Sequence, residues 1–149
     1  MAESRASTER ARGEAEAGTS PAEIARNGYA AWNTGDLDAF LDTVHPEIVW
    51  TTARVFPGLR SQYSGHAGIR EFWKVFMEPW ETLQIEDERM LEIDPQSVLC
   101  LIRFHARGRD GIEADLRFTN HMVIREGKLF RFRSYPDWEQ AVADLGVEG

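Results

Sequence analysis

The chain has 149 residues, a length that suits one domain around one hydrophobic core. Its formal net charge of −8 and pI of about 5.0 argue against nucleic acid or an anionic membrane surface as a partner, since both need a basic face. No apolar run is long enough to span a bilayer. A single cysteine, Cys100, precludes an internal disulfide, and the N-terminus lacks the apolar core of a secretory signal. Both features predict a cytoplasmic protein.

Residues 1–19 are rich in Ala, Glu, Arg, Ser and Thr. They cannot bury enough surface to offset ordering entropy, so a flexible tail is expected, with the domain spanning 20–149. Ser20-Pro21-Ala22-Glu23 combines a capping serine, a proline suited to the first helical position and a capping-box glutamate. Ile24, Gly28, Ala31 and Trp32 then share one helical face. Gly35 ends this helix and Asp36 caps a second, whose buried stripe is Leu37, Phe40, Leu41 and Val44. His45-Pro46 closes it, with His45 expected to cap its C-terminus. A strand follows over 47–54, with Ile48, Trp50 and Thr52 on one face. A loop containing Pro57-Gly58 and Gly65 leads to a third helix carrying Ile69, Phe72, Trp73, Phe76 and Trp80, ended by Pro79.

From Thr82 the period becomes two. Leu83, Ile85, Leu91 and Ile93 share a face, with Asp87 and Arg89 between them and expected to pair with each other. Turns at 94–97 and at Asp110-Gly111 flank the next strand, 97–108. The strand ending at Arg125 places Ile112, Ala114, Leu116, Phe118, Asn120, Met122 and Ile124 on a core face broken only by Asn120. A Glu126-Gly127 turn, a strand over 128–135 and a short helix with Trp138, Val142 and Leu145 complete the chain. This order predicts an α+β domain: a curved, mostly antiparallel sheet with three helices packed on one face, enclosing a cone-shaped cavity.

Four stretches carry a family resemblance: Tyr29-Ala-Ala-Trp-Asn-Thr-Gly-Asp-Leu-Asp-Ala-Phe, His45-Pro-Glu-Ile-Val-Trp, Tyr63-Ser-Gly-His-Ala-Gly-Ile-Arg-Glu-Phe-Trp, and the Glu126-Gly-Lys-Leu turn leading to Ser134-Tyr-Pro-Asp. Through them the chain resembles the NTF2-like superfamily, and in particular its SnoaL-like, polyketide cyclase-like branch. The resemblance implies the cone-shaped fold. It leaves activity open, because one fold hosts several chemistries. The general base of similar ketosteroid isomerases would fall at Thr52, their helix-one tyrosine at Gly28, one residue before Tyr29, and their protonated aspartate at Asn120. The aspartates of similar limonene epoxide hydrolases would fall at His105, in Arg103-x-His105, and at Ser134. The cyclases resemble a better template, with His105 as their histidine.

The candidate catalytic set is therefore His105 as acid/base, Asn120 stabilising an enolate and Arg103 orienting a polar group. Alternation alone makes Val98, Cys100, Ile102, Phe104 and Ala106 the core face and turns His105 outward, whereas the resemblance favours the reverse. His66 is placed at the cavity mouth and His121 on the exposed face. The four histidines lack metal-ligand spacing, so no metal and no cofactor are expected. Trp50, Thr52, Tyr63, Phe76, Asn120, Met122, Phe132 and Ser134 are expected to line the cavity. The expected partner is a small apolar or polyketide-like molecule, converted by cofactor-independent chemistry of cyclase or isomerase type. Alternatives are a non-catalytic binder and a dimerisation module, which the missing carboxylates favour. The outer rows Arg117, Thr119, His121, Val123, Arg125 and Arg131, Arg133, Tyr135 could form a homodimer interface.

Overall fold

Helix α1 (Pro21–Asn33) starts at Ser20, whose hydroxyl accepts from the Glu23 N–H at 3.2 Å. The computed structural model describes residues 20–53 and 58–147. The expected N-terminal tail, the first strand's end at Arg54, Phe56 and the Pro57 half of the loop turn lie outside the described residues. Gly35 turns the chain at φ 77° and Asp36 caps α2 (Leu37–Leu41) through the N–H groups of Asp38 and Ala39. After α3 (Gly65–Met77) the chain is almost entirely strand until α4 (Trp138–Leu145).

The six strands are β1 (Val44–Thr51), β2 (Gln62–Ser64), β3 (Trp80–Asp94), β4 (Ser97–Gly108), β5 (Glu113–Arg125) and β6 (Lys128–Tyr135). They form one sheet in the order β2-β1-β6-β5-β4-β3. Only the β1–β6 pair is parallel. The α+β architecture thus matches the expected class. Helices α1, α2 and α3 cover the face that carries Val98, Cys100, Ile102, Phe104 and Met122.

Several boundaries differ from the sequence expectation. Val44 is a β1 residue rather than the end of α2, because its backbone pairs with Leu129 of β6. His45 is consequently a strand residue: its Nδ1 accepts from the Glu47 N–H and its Nε2 meets Glu126 Oε1 at 2.9 Å. Trp80 opens β3 instead of extending α3. Strand β2 lies within the expected loop, where three residues are too few to show a period. Asp87 and Arg89 flank a register shift in β3 and do not pair with each other. Asp87 meets Arg26 of α1, and Arg89 lies 4.1 Å above the Trp138 ring of α4.

The largest correction concerns α4, which packs on the face opposite the other helices. Leu99, Tyr135 and Ala141 form a second small core with Leu91, Ile93, Trp138, Val142 and Leu145. Both rows of β4 are therefore apolar at its N-terminal half, because each is covered by a helix. Thr119 and Tyr135, expected on an open outer face, are buried there, and His121 is partly shielded. Burial lowers the His121 pKa.

Helix α1 is tied to β3 by a side chain acting as a strand partner. Asn33 donates Nδ2 to the Ile85 carbonyl at 2.8 Å and accepts the Ile85 N–H on Oδ1 at 2.9 Å. Replacing Asn33 by Ala removes both bonds. Urea denaturation is expected to show a loss of about 1–3 kcal/mol. Asn33→Asp keeps only the accepting half and should be destabilised comparably.

Candidate functional site

Between the three helices and the concave face of the sheet lies a cavity of about 80 Å³, counted as space open to the centre of a water-sized sphere. One water needs roughly 10–15 Å³ on that measure, so the space suits several waters or one small molecule. Its walls come from α1, α2 and α3, from every strand except β2, and from the segment after β1. The aromatic lining is Tyr29, Trp32, Phe40, Trp50, Phe72, Phe76, Phe104, Phe118 and Phe132.

These rings brace each other. Trp50 and Phe132 sit opposite each other in the β1–β6 pairing, and their rings stack 3.7 Å apart at 8°. Trp32 meets Phe40 edge-on at 5.1 Å and leans on Trp73 at 4.5 Å. Phe76 stacks on Phe72 at 5.2 Å and meets Phe104 edge-on at 5.8 Å. Such pairs contribute about 0.5–1.5 kcal/mol each beyond burial, so the wall is pre-organised. Gly28 lets α1 lie close to β6: a Cβ there would stand 3.3 Å from Leu129 Cδ1.

The polar groups of the lining are few: Tyr29, Thr52, Asn120 and Ser134, with the indole N–H groups of Trp32 and Trp50. Thr52 is already engaged, donating to the Arg60 carbonyl at 2.9 Å. Asn120, only 4% exposed, donates Nδ2 to the Tyr29 hydroxyl at 2.8 Å, bridging β5 and α1. Its Oδ1 has no protein partner. Burial, followed by neighbouring Cys100, pushes the Tyr29 phenol well above its ordinary pKa. Tyr29 is the one titratable side chain among the described residues of the lining.

Seven residues expected to line the cavity do so: Trp50, Thr52, Phe76, Asn120, Met122, Phe132 and Ser134. Tyr63 does not. It is buried beneath Phe72, and its hydroxyl accepts the Arg60 N–H. Arg103 and His105 are also outside the cavity, on the opposite face of β4. Arg103 forms a bidentate pair with Asp115 at 2.9 and 2.7 Å. That pair holds the Asp115 carboxyl below its ordinary value. The His105 side chain is 38% exposed, 3.5 Å from Glu86 and 3.8 Å from Asp115. Plain alternation along β4 was thus the better guide to His105 than the resemblance. His66 bonds the Val44 carbonyl at 2.8 Å and is likewise absent from the lining.

Spacing along α1 put the helix-one tyrosine at Gly28 and so missed Tyr29. Both residues line the cavity, because the helix passes over its roof. No group of three or more His, Cys, Asp or Glu side chains placed to hold a metal occurs among the described residues. No helix among them is long and apolar enough to cross a membrane.

The fold and the lining define a cone-shaped α+β protein built around an internal cavity. Residues 25–132 match the SnoaL-like domain, and the chain belongs to that family. Solved structures share the fold. TerC, co-crystallised with polyporic acid, is 24% identical, with a TM-score of 0.71 over 84% of this chain and 96% of that one. An NTF2-like protein from Burkholderia pseudomallei is 18% identical, with a TM-score of 0.71 over 84% and 96% of the two chains. A Mycobacterium tuberculosis protein in complex with estradiol-17beta-hemisuccinate is 14% identical, with a TM-score of 0.69 over 81% and 97%. No curated protein matches the chain by sequence.

Cys100 lies behind Tyr29, fully buried, with its thiol pushed up to about 12 by burial. It should resist an aromatic disulfide reagent at pH 8 in the native protein and react at once in denaturant. The sign of the linkage follows from the same shift. The unfolded thiol titrates near 9.0, so between about pH 9 and 12 the native state holds more protons than the unfolded one. Stability is full below pH 9 and falls as pH rises through that window. Denaturation midpoints measured at pH 8 and pH 10.5 check this, and Cys100→Ala should show a shallower decline.

Proposed function

We propose that this protein binds one small, largely apolar molecule inside the cone and holds it without chemistry. The observation that carries the reading is the lining itself: braced aromatic rings around one buried amide whose oxygen has no protein partner. Apolar pockets with a few placed polar groups are the usual form of small-molecule sites. Polyporic acid and an estradiol ester, held by proteins of the same fold, are in keeping with such a lining.

Acid–base catalysis has little to draw on in this cavity. Among the described residues, the lining contains no carboxylate, imidazole or amine. Its phenol is held protonated by burial, which makes it a poor base near neutral pH. His105 and Arg103, the expected catalytic pair, are engaged with carboxylates on the far face of the sheet.

Trp32 and Trp50 line the cavity and report its occupancy. Titration with naphthalene should give a saturable change in tryptophan fluorescence. Ser134→Phe, which fills the cavity from β6, should weaken the titration at least tenfold while leaving the far-ultraviolet circular dichroism unchanged. A non-saturable response in the native protein would remove the binding reading.

A further inference from the structure

Strand β6 alternates Phe132 and Ser134, which line the cavity, with Arg133 and Tyr135, which line a groove on the far side of the sheet. Its pairing with β1 ends at Thr51, opposite Arg133. Beyond that point the chain turns away from β6: Thr52 gives its N–H to the Ser61 carbonyl and its hydroxyl to the Arg60 carbonyl. Ser134 is therefore paired on one side only, with Asn120 of β5. The sheet parts beside it.

The groove beyond this parting is open and roomy, about 590 Å³ against about 80 Å³ for the cavity on the same measure. Thr52, Ala53 and Ser134 line both spaces, so the wall between them is one residue thick and built of small side chains. The charged groups of the groove are Arg133 and, from α4, Asp144. They differ in what they have left to offer. The Asp144 carboxylate already accepts the Tyr135 hydroxyl. The Arg133 guanidinium lies 5.4 Å over the Tyr135 ring and, among the described residues, pairs with no carboxylate. Its N–H groups remain available to an acceptor at the mouth of the cavity.

From this we infer that the ligand is amphipathic: an apolar body sits in the cone, and a short arm passes Ser134 and ends in a carboxylate on Arg133. The inference rests on the binding reading above and adds a second, anionic subsite to it. Among the described residues the cavity lining holds no cation, so the cone itself takes only the body. A charge pair at so exposed a place changes affinity by about threefold to fivefold and is screened by salt. It decides which ligand is preferred, while the aromatic wall supplies most of the affinity.

The test compares 3-(2-naphthyl)propanoic acid with its neutral amide, 3-(2-naphthyl)propanamide, by tryptophan fluorescence at low salt, with naphthalene as the body alone. The native protein should bind the acid about threefold or more tightly than the amide, and the acid should displace naphthalene competitively. Arg133→Gln should make acid and amide nearly equal, while naphthalene, which has no arm, binds the variant as it binds the native protein. Sodium chloride at about 0.5 M should equalise acid and amide in the native protein. An acid that binds no better than the amide, or a preference that survives Arg133→Gln, would overturn the anionic subsite and leave the binding reading standing. An acid that binds without displacing naphthalene would make the groove a separate site and overturn its continuity with the cone. If none of the three saturates, both readings fall together.

Discussion

A polar pair in an apolar cavity holds this structure to one arrangement. Asn120 and Tyr29 are 91 positions apart in sequence, and each would be left without a protein partner inside the cone if it lost the other. An unpaired buried amide or phenol costs more than a formed bond returns, so the pair fixes the distance between α1 and β5 more strictly than the surrounding rings could. With that distance set, Trp32 and the rest of α1 stand over the sheet without collapsing onto it. The cavity is the space left over. The polar bridge and the hollow are therefore one feature viewed from two sides.

The aromatic wall acts differently. Its rings come from seven separate elements yet meet in stacked and edge-on pairs. Aromatic side chains have few rotatable bonds, and Trp32, Phe40, Trp50, Phe72, Phe76 and Phe104 each meet more than one other ring. A wall of this kind resists filling its own void, as flexible side chains would do. Leu129 and Met122 supply the smaller adjustments, while Gly28 removes a side chain where helix and sheet come closest.

Much of this was legible in the sequence, for identifiable reasons. Caps at Ser20 and Asp36 and the glycines at 35 and 127 mark real boundaries because each satisfies a local backbone requirement. Strand alternation placed Asn120 and Met122 inward correctly because β5 is long and covered on that face at this point. It was incomplete for Leu99, because a sequence period cannot show that α4 returns to cover the other face. The same row at Ile112 and Leu116 runs past the helices and is exposed, though its period is unchanged. Tyr63 was misplaced because a three-residue strand offers no phase to read. Tyr29 was missed because one residue along a helix is a rotation of about 100°, and either of two adjacent positions can look into a cavity that a helix roofs.

The long strand β3 lies at the edge of the sheet, where 15 extended residues would ordinarily invite another chain to pair with them. Its geometry works against that. The register shift at Asp87–Arg89 breaks the run of evenly spaced backbone groups, and the Asn33 amide already occupies those of Ile85. Glu86, Asp87, Glu88 and Glu92 add like charges along the same edge, some of them tied down by Arg26 and Arg117. The opposite edge, β2, is three residues long. A sheet bent around a hollow is thus protected at both borders against edge-to-edge aggregation, which lets the fold carry an unfilled interior without becoming adhesive.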